Sequence, residues 1–180
     1  MQTQELPDLD FTKPPIPEPK AAAEAAPRPD VEIGTLGAQH SGHFICYLAA
    51  KPRRVAAAAE APVCVVEDDE TTGRVLHRAL TLRGYPTRVS AHARDFLQAL
   101  RKPPLPRLVL LDIELPEING FKLLTLLRQH PQTAGIPVVL LTARSEGKDL
   151  LHGLSLGADG YLSKPVKLET LRAMLDKLIG

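Results

Sequence analysis

Residues 108–124 read LVLLDIELPEINGFKLL, and this stretch decides the fold class. It begins with an uninterrupted apolar run, which is typical of a strand buried on both faces of a parallel sheet. The run ends in Asp112, a loop containing proline follows, and apolar residues then recur at the helical period from Phe121 to Leu127. The stretch therefore predicts a strand, a loop and a helix, in that order.

The same pattern recurs along residues 63–180. The apolar runs are VCVV (63–66), PTRVS (86–90), RLVLL (107–111), PVVLL (137–141) and GYL (160–162). A helical stretch follows each run; the first is expected to bury Val75, Leu76, Ala79 and Leu80, and the last Leu168, Leu171, Leu175 and Leu178. Such alternation predicts an α/β fold, a doubly wound five-stranded parallel sheet with five helices and right-handed crossovers. In these sheets ligands bind beyond the carboxyl ends of the strands.

Residues 1–62 have a different composition, because they hold nine of the 17 prolines and the alanine-rich stretches AAAEAAPRP and VAAAAEAP. Proline removes backbone donors and fixes φ, so this region is predicted to be a low-complexity extension and linker, largely disordered over 1–30 and linking over 51–62. The less polar segment 31–50 is expected either to form a short strand pair or to dock on another surface. Residues 63–180 form the predicted compact domain.

The composition excludes several classes of protein. With 22 Lys+Arg against 21 Asp+Glu the net charge is +1, which gives no bulk attraction to nucleic acid or to an acidic membrane. Apolar runs fall short of the roughly 18 residues that a membrane span needs. The acidic amino terminus lacks a signal pattern, and Cys46 and Cys64 make no disulfide framework, with Cys64 expected to pack in the core. We therefore expect a cytoplasmic protein that does not bind nucleic acid directly.

Acidic residues stand at two of the predicted strand ends. The first run is followed by Glu67 and Asp68, and the third ends in Asp112. If these strands are neighbours, three carboxylates converge, and each close pair repels by about 4 kcal/mol at an effective dielectric constant near 20. Either one carboxyl group stays protonated or a cation binds, and a site of oxygen ligands suits Mg²⁺.

The other strand ends offer groups that suit phosphoryl chemistry. A carboxylate beside Mg²⁺ can accept a phosphoryl group, which makes Asp112 the candidate acceptor. Lys164 offers a positive charge to the phosphoryl oxygens, and the Thr142 hydroxyl and the Ala143 amide offer hydrogen bonds. Positioning and charge stabilisation are sufficient for this kind of catalysis.

The strings VCVVEDDE, LVLLDIELPEINGFKLL, VVLLTARSE and GADGYLSKPV carry a family resemblance. Residues 63–180 resemble a response-regulator receiver domain of two-component signalling, with a chemotaxis-regulator-like fold. The resemblance implies a flavodoxin-like sheet with strand order 2-1-3-4-5. It also implies that Asp112 is the phosphoacceptor, with Glu67 and Asp68 as the acidic pair and Asp68 as the direct Mg²⁺ ligand.

Further roles follow from the same resemblance. The backbone carbonyl of Glu114 resembles the third protein ligand of Mg²⁺, while Lys164 and Thr142 resemble the residues that contact the phosphoryl group. Tyr161 resembles the aromatic residue that moves inward together with Thr142 on activation. A cis peptide bond is implied between Lys164 and Pro165.

Two features of the predicted pocket are particular to this chain. Glu67 stands where many receivers have Asp, and its longer side chain predicts contact with the metal through a water molecule. Ala143, Arg144 and Pro165 are expected at the pocket rim, where Arg144 is predicted to pair with Glu114 and to shield the phosphoaspartate from water. On this hypothesis Arg144→Ala dephosphorylates faster than the parent.

The predicted function is a phosphorylation-controlled switch that takes its phosphoryl group from a sensor histidine kinase or a histidine phosphotransfer protein. Such a domain catalyses its own phosphorylation without being a conventional turnover enzyme. Output is expected through a downstream protein target, with a homodimer on the face of the fourth helix, fifth strand and fifth helix as a further expectation. One alternative is a phosphorylation-independent interaction module of the same fold. The other is a haloacid-dehalogenase-type phosphatase, which expects a second Asp at the position of Glu114.

Overall fold

The computed structural model describes residues 60–116, 118–143 and 152–179, together with the backbone of residues 32–37 and 43–48. The predicted disorder over residues 1–30, most of the predicted linker and Arg144 lie outside the described residues. Within the described part of the chain, no helix is both long enough and apolar enough to cross a membrane.

Strands and helices alternate from residue 63 onward. The strands are β1 (Glu32–Gly37), β2 (His43–Leu48), β3 (Val63–Val66), β4 (Thr87–Ser90), β5 (Leu108–Asp112), β6 (Val138–Thr142) and β7 (Gly160–Ser163). The helices are α1 (Glu70–Thr81), α2 (Ala93–Ala99), α3 (Gly120–Gln129) and α5 (Leu168–Leu178), while α4 is helical over the described residues 152–155.

The five predicted strands form a parallel sheet in the predicted order. The whole sheet has the order β1-β2-β7-β6-β5-β3-β4, and the strands from β3 to β7 pair in parallel. Numbered by their position along the domain, these five strands follow the order 2-1-3-4-5, so the prediction is confirmed. Strands β3 and β5 are direct neighbours, with Val66 opposite Leu111. The acidic residues that follow β3 therefore lie beside the end of β5.

The segment 31–50 contributes two further strands, so both expectations left open for it are met. Strands β1 and β2 form an antiparallel pair, and β2 pairs antiparallel with β7, with Ile45 opposite Tyr161 and Cys46 opposite Gly160. The outer edge of β7 would otherwise present unpaired backbone groups, which favours the addition of a strand there. The sheet is thus extended from five strands to seven.

Apolar side chains cover both faces of the parallel sheet. One face packs residues such as Phe96, Leu124 and Tyr161, and the other face packs residues of α1 and α5. Every residue of β3, β5 and β6 is buried, as their continuous apolar runs predicted. Cys64 is buried as expected, and this burial raises the pKa of its thiol to about 11.

The predicted buried faces of α1 and α5 each include one residue that is exposed in the structure. Val75 is 49% exposed and Leu168 is 54% exposed. In α1 the buried residues Gly73, Leu76 and Leu80 form a narrow stripe at helical spacing, and Val75 lies beside it rather than on it. Leu168 is the first residue of α5, where the helix has not yet reached the sheet face that Leu171 contacts.

Candidate functional site

Four neighbouring strands bring their carboxyl ends to one edge of the sheet. Glu67 follows β3, Asp112 is the last residue of β5, Thr142 is the last residue of β6, and Lys164 follows β7. Because the strands are parallel, their carboxyl ends border one crevice beyond the sheet. Glu67, Asp112 and Thr142 are buried, with exposed fractions of 2%, 3% and 7%.

Lys164 bridges two of the buried carboxylates. Its Nζ atom lies 2.6 Å from Asp112 Oδ2 and donates a hydrogen bond to Glu67 Oε1 at 2.8 Å. One positive charge therefore faces two acidic side chains in a partly buried site. The sequence predicts Lys164 near Asp112. Its pairing with Glu67 was not predicted, because these two residues are 97 positions apart along the chain.

Both oxygens of Glu67 lie close to the Lys164 amine. Oε1 accepts the hydrogen bond at 2.8 Å, and Oε2 lies 2.7 Å from Nζ in the same ion pair. The same amine also faces Asp112 at 2.6 Å, so one positive charge is shared between two carboxylates.

The electrostatic surroundings of Glu67 and Lys164 shift both of their pKa values. Burial raises the pKa of Glu67 to about 7, and the nearby charge of Asp112 acts in the same direction against the hydrogen bond from Lys164. For Lys164, burial alone would lower the pKa, but the hydrogen bonds to Asp112 and Glu67 outweigh burial and raise it. Lys164 therefore stays protonated, whereas Glu67 readily takes up a proton when no other cation is near.

The carboxylates of this pocket fit a hard divalent cation. Glu67, Asp68 and Asp112 each offer an oxygen, and these oxygens lie within 4.8 Å of one another. Asp68 is exposed, so the group faces solvent on one side and the buried Asp112 on the other. Oxygen ligands that are few and open to water suit Mg²⁺. Glu67 adds a buried carboxylate to this set.

The loop after β5 holds Asp112 in place from the other side. The amide of Glu114 donates to Asp112 Oδ1 at 3.1 Å, and the amide of Gly120 donates to Ile113 O at 2.9 Å. A Cβ atom at position 120 would overlap Asp112 O and would lie 2.9 Å from Ile113 Cα. Only glycine lets the start of α3 approach the acceptor strand this closely.

The remaining predicted residues lie at the rim or beneath it. Ala143 and Pro165 are exposed, and the Lys164–Pro165 peptide bond is cis, as the resemblance implied. Tyr161 is buried on β7, with 4% exposed. Arg144 lies outside the described residues, so its pairing with the exposed Glu114 stays a prediction.

Asp69 has a structural role beside the pocket. Its side chain accepts a hydrogen bond from the Thr72 amide at 2.7 Å and caps α1, and the interactions with Thr72 lower the pKa of Asp69. Of the acidic residues after β3, Asp69 therefore serves the helix, whereas Glu67 and Asp68 face the pocket.

Comparisons with known proteins agree with the fold of residues 63–179. The family model described as response regulator receiver domain matches residues 63–176. The transcriptional regulatory protein GltR of Pseudomonas aeruginosa is 36% identical over 117 residues, which cover 65% of this chain and 48% of GltR. AfsQ1 of Streptomyces coelicolor, also a transcriptional regulatory protein, is 37% identical over 111 residues, which cover 62% of this chain and 48% of AfsQ1. The chain thus spans about half the length of these relatives.

Solved structures show the same fold. The chemotaxis protein CheY4 of Vibrio cholerae superposes with a TM-score of 0.63 and 26% identity, covering 67% of this chain and 100% of CheY4. A putative response regulator from Chloroflexus aurantiacus superposes with a TM-score of 0.61 and 32% identity, covering 67% of this chain and 98% of that protein.

Proposed function

This chain belongs to the response regulator receiver domain family, and from that premise we propose that Asp112 accepts a phosphoryl group from a phosphohistidine. The donor is a sensor histidine kinase or a histidine phosphotransfer protein. The observation that carries the proposal is the position of Lys164, whose amine lies 2.6 Å from the buried Asp112 carboxylate at the point where two further carboxylates converge.

The proposed transfer uses groups that already face each other across the pocket. An Asp112 carboxylate oxygen bonds to phosphorus as the phosphorus–nitrogen bond of the donor breaks, and the histidine nitrogen keeps the electron pair of that bond. Lys164 offers its positive charge to the phosphoryl oxygens, and we expect the Thr142 hydroxyl and the Ala143 amide, at the end of β6, to donate hydrogen bonds to them. Catalysis therefore depends on positioning and charge rather than on a separate base.

We assign the metal site to Glu67, Asp68, Asp112 and the backbone carbonyl of Glu114. A Mg²⁺ ion held by these residues would supply positive charge to the phosphoryl transfer. The support is the group of three carboxylates, of which the two buried ones share the single positive charge of Lys164. Whether Glu67 reaches the ion directly or through water stays a prediction.

We infer that output passes through the face formed by α4, β7 and α5, with Thr142 and Tyr161 linking the pocket to that face. Phosphorylation acts by shifting an equilibrium between two conformations. Strand β2 covers the outer edge of β7, so a homodimer on this face must either include or displace the β1–β2 hairpin. Light scattering with and without beryllofluoride tests whether such a dimer forms. A protein target, a cytoplasmic location and the lack of direct nucleic-acid binding stay predictions.

Acetyl phosphate with Mg²⁺ tests the proposed acceptor. The full chain should gain the mass of one phosphoryl group, Asp112→Asn should gain none, and chelation of Mg²⁺ should abolish the gain in the parent. If the parent stays unmodified but still binds a partner protein, the result would support the phosphorylation-independent module instead. Steady turnover of a generic phosphate monoester would support the phosphatase.

A further inference from the structure

Tyr161 lies on the same face of the sheet as Leu140 and Thr142 of β6. It is opposite Leu140 in the β6–β7 pairing, and Ser163 is opposite Thr142. Paired residues of parallel strands, and residues two apart along a strand, point to one face. The phenol of Tyr161 is therefore held on the Thr142 side of the sheet, in the core cluster that includes Leu140.

The space that this phenol occupies exists because position 153 has no side chain. Gly153 lies in the described part of α4 and is buried. A Cβ atom there would overlap the Tyr161 hydroxyl oxygen and would lie 2.9 Å from Tyr161 Cζ and 2.7 Å from Leu140 Cδ1. Carbon atoms that are not bonded pack at about 3.5–4.0 Å. Tyr161 and a side chain at position 153 thus exclude each other.

The backbone of β7 cannot move aside to relieve this overlap. It pairs with β6 on one side, where Leu140 is opposite Tyr161, and with β2 on the other, where Ile45 is opposite Tyr161. The Cα atom of Tyr161 is fixed by these two ladders. A side chain at position 153 would therefore turn the Tyr161 ring outward or push α4 away from the sheet.

Another buried helical glycine shows that the effect is specific. A Cβ atom at Gly73 in α1 would meet only Val89 Cγ1, at 3.2 Å. This atom is the end of a side chain that is 41% exposed and has room to turn. Gly73→Ala is therefore a matched control for the loss of a helical glycine.

We propose that Gly153 is a positioning residue whose missing side chain admits the Tyr161 phenol to its buried place beneath α4. It thereby sets the balance between the inward and outward positions of Tyr161. The part of the inference that concerns signalling rests on the proposed function, because it assumes that the inward position accompanies phosphorylation of Asp112. The packing part does not depend on that function.

Fluorine NMR of the full chain labelled with 3-fluorotyrosine tests the packing part in unphosphorylated protein without Mg²⁺. The sequence holds three tyrosines, so Tyr161→Phe assigns the resonance. In the parent and in Gly73→Ala, the Tyr161 resonance should shift between H₂O and D₂O by clearly less than a free fluorotyrosine derivative does. In Gly153→Ala it should show the full solvent isotope shift of a free fluorotyrosine derivative. An unchanged, protected Tyr161 resonance in folded Gly153→Ala would overturn the proposal.

A double-mutant cycle covers the case in which Gly153→Ala unfolds. Removing the phenol oxygen in Tyr161→Phe removes the closest overlap, so Gly153→Ala should lower the Tm less in that background than in the parent. An equal loss of Tm in both backgrounds would contradict the assignment. Acetyl phosphate labelling of the same samples keeps the two proposals apart. An unlabelled parent refutes the acceptor role of Asp112 and leaves the Tyr161 result standing. If the parent is labelled, Gly153→Ala should be labelled less at the same acetyl phosphate concentration, because the inward position that it disfavours is coupled to phosphorylation. Equal labelling would refute the signalling part and leave the packing part standing.

Discussion

Two partly buried charge clusters lie at opposite ends of the parallel sheet, and they differ in how many carboxylates each cation faces. At the amino ends of β6 and β7, Arg128 donates to Asp159 Oδ2 at 2.8 Å and to the carbonyls of Ile136 and Gly157 at 2.8 and 2.9 Å. Asp159 Oδ2 also accepts a bond from the Val138 amide at 2.8 Å. At the carboxyl ends, Lys164 faces both Glu67 and Asp112, so one cation serves two carboxylates.

The difference shows how a buried charge can serve either structure or ligand binding. The Arg128 cluster matches one cation to one carboxylate and fills its remaining donors with backbone carbonyls, which suits a permanent link between α3 and the sheet. The Lys164 cluster has one cation for two carboxylates, so it remains electrostatically incomplete. The missing positive charge is what a divalent ion can supply. Substitutions that affect the two clusters differently test this comparison.

The largest effect is expected from Arg128→Met. The substitution leaves the partly buried Asp159 without its cation and leaves carbonyl groups unpaired, which together should cost about 3–5 kcal/mol of unfolding free energy. Urea unfolding measures the loss, and neither Mg²⁺ nor beryllofluoride should restore it. Phosphorylation by acetyl phosphate per folded molecule should match the parent. A loss below about 1 kcal/mol would show that the cluster does not link α3 to the sheet.

Lys164→Met should have the next largest effect. Without divalent ions it leaves Glu67 and Asp112 buried without a cation, and we expect a loss of about 2–4 kcal/mol. The loss is smaller than for Arg128→Met because Glu67 can take up a proton. Mg²⁺ should recover part of the loss through binding to the folded state, as measured by urea unfolding over a Mg²⁺ titration. If Mg²⁺ restored the same amount of unfolding free energy in both variants, or in neither, the Lys164 cluster would not differ from the Arg128 cluster in binding a divalent ion.

Glu67→Gln should stabilise the metal-free protein at alkaline pH. The pKa of Glu67 is raised from its ordinary value of 4.5 to about 7, so the folded state binds more protons than the unfolded state between these values. Stability therefore falls as the pH rises through that window, and the full penalty is present above pH 7. We expect Glu67→Gln to gain about 1–3 kcal/mol at pH 8 in EDTA and almost nothing near pH 4.

Unfolding curves at the two pH values measure the Glu67→Gln effect. Asp68→Asn is the matched control, because Asp68 is an exposed carboxylate of the same group. It should change the stability of the metal-free protein little at either pH, while both variants weaken Mg²⁺ binding. A stability gain that is the same at both pH values would rule out ionisation of Glu67 as the cause.

The smallest effect is expected from an exposed ion pair. The Nη1 atom of Arg74 lies 3.5 Å from Oε1 of Glu70 on α1, and the two side chains are 73% and 81% exposed. Arg74→Met should change the free energy of unfolding by less than about 0.5 kcal/mol, and salt should screen even this. The same urea measurement calibrates the effect of removing an arginine where water solvates both charges. A loss comparable to that of Arg128→Met would mean that burial does not explain the stability contributed by the Arg128–Asp159 pair.

The sequence by itself determined the order of strands and helices and the residues at the strand ends. Continuous apolar runs and the helical period are local signals, so they placed β3 to β7 and put Asp112, Thr142 and Lys164 at one edge of the sheet. The family resemblance, carried by the same local strings, also placed the cis bond at Pro165. The less polar stretch 31–50 indicated a strand pair but not the strand that it would join.

The tertiary structure alone decided which of these groups touch each other. The bond from Lys164 to Glu67 and the fit of Tyr161 against Gly153 depend on side-chain lengths and on the distance between packed elements. The pairing of β2 with β7 depends on which sheet edge remains open once the five parallel strands have paired. The physical reason is that hydrophobic periodicity is set by neighbours along the chain, whereas contact and burial are set by residues that are distant in sequence.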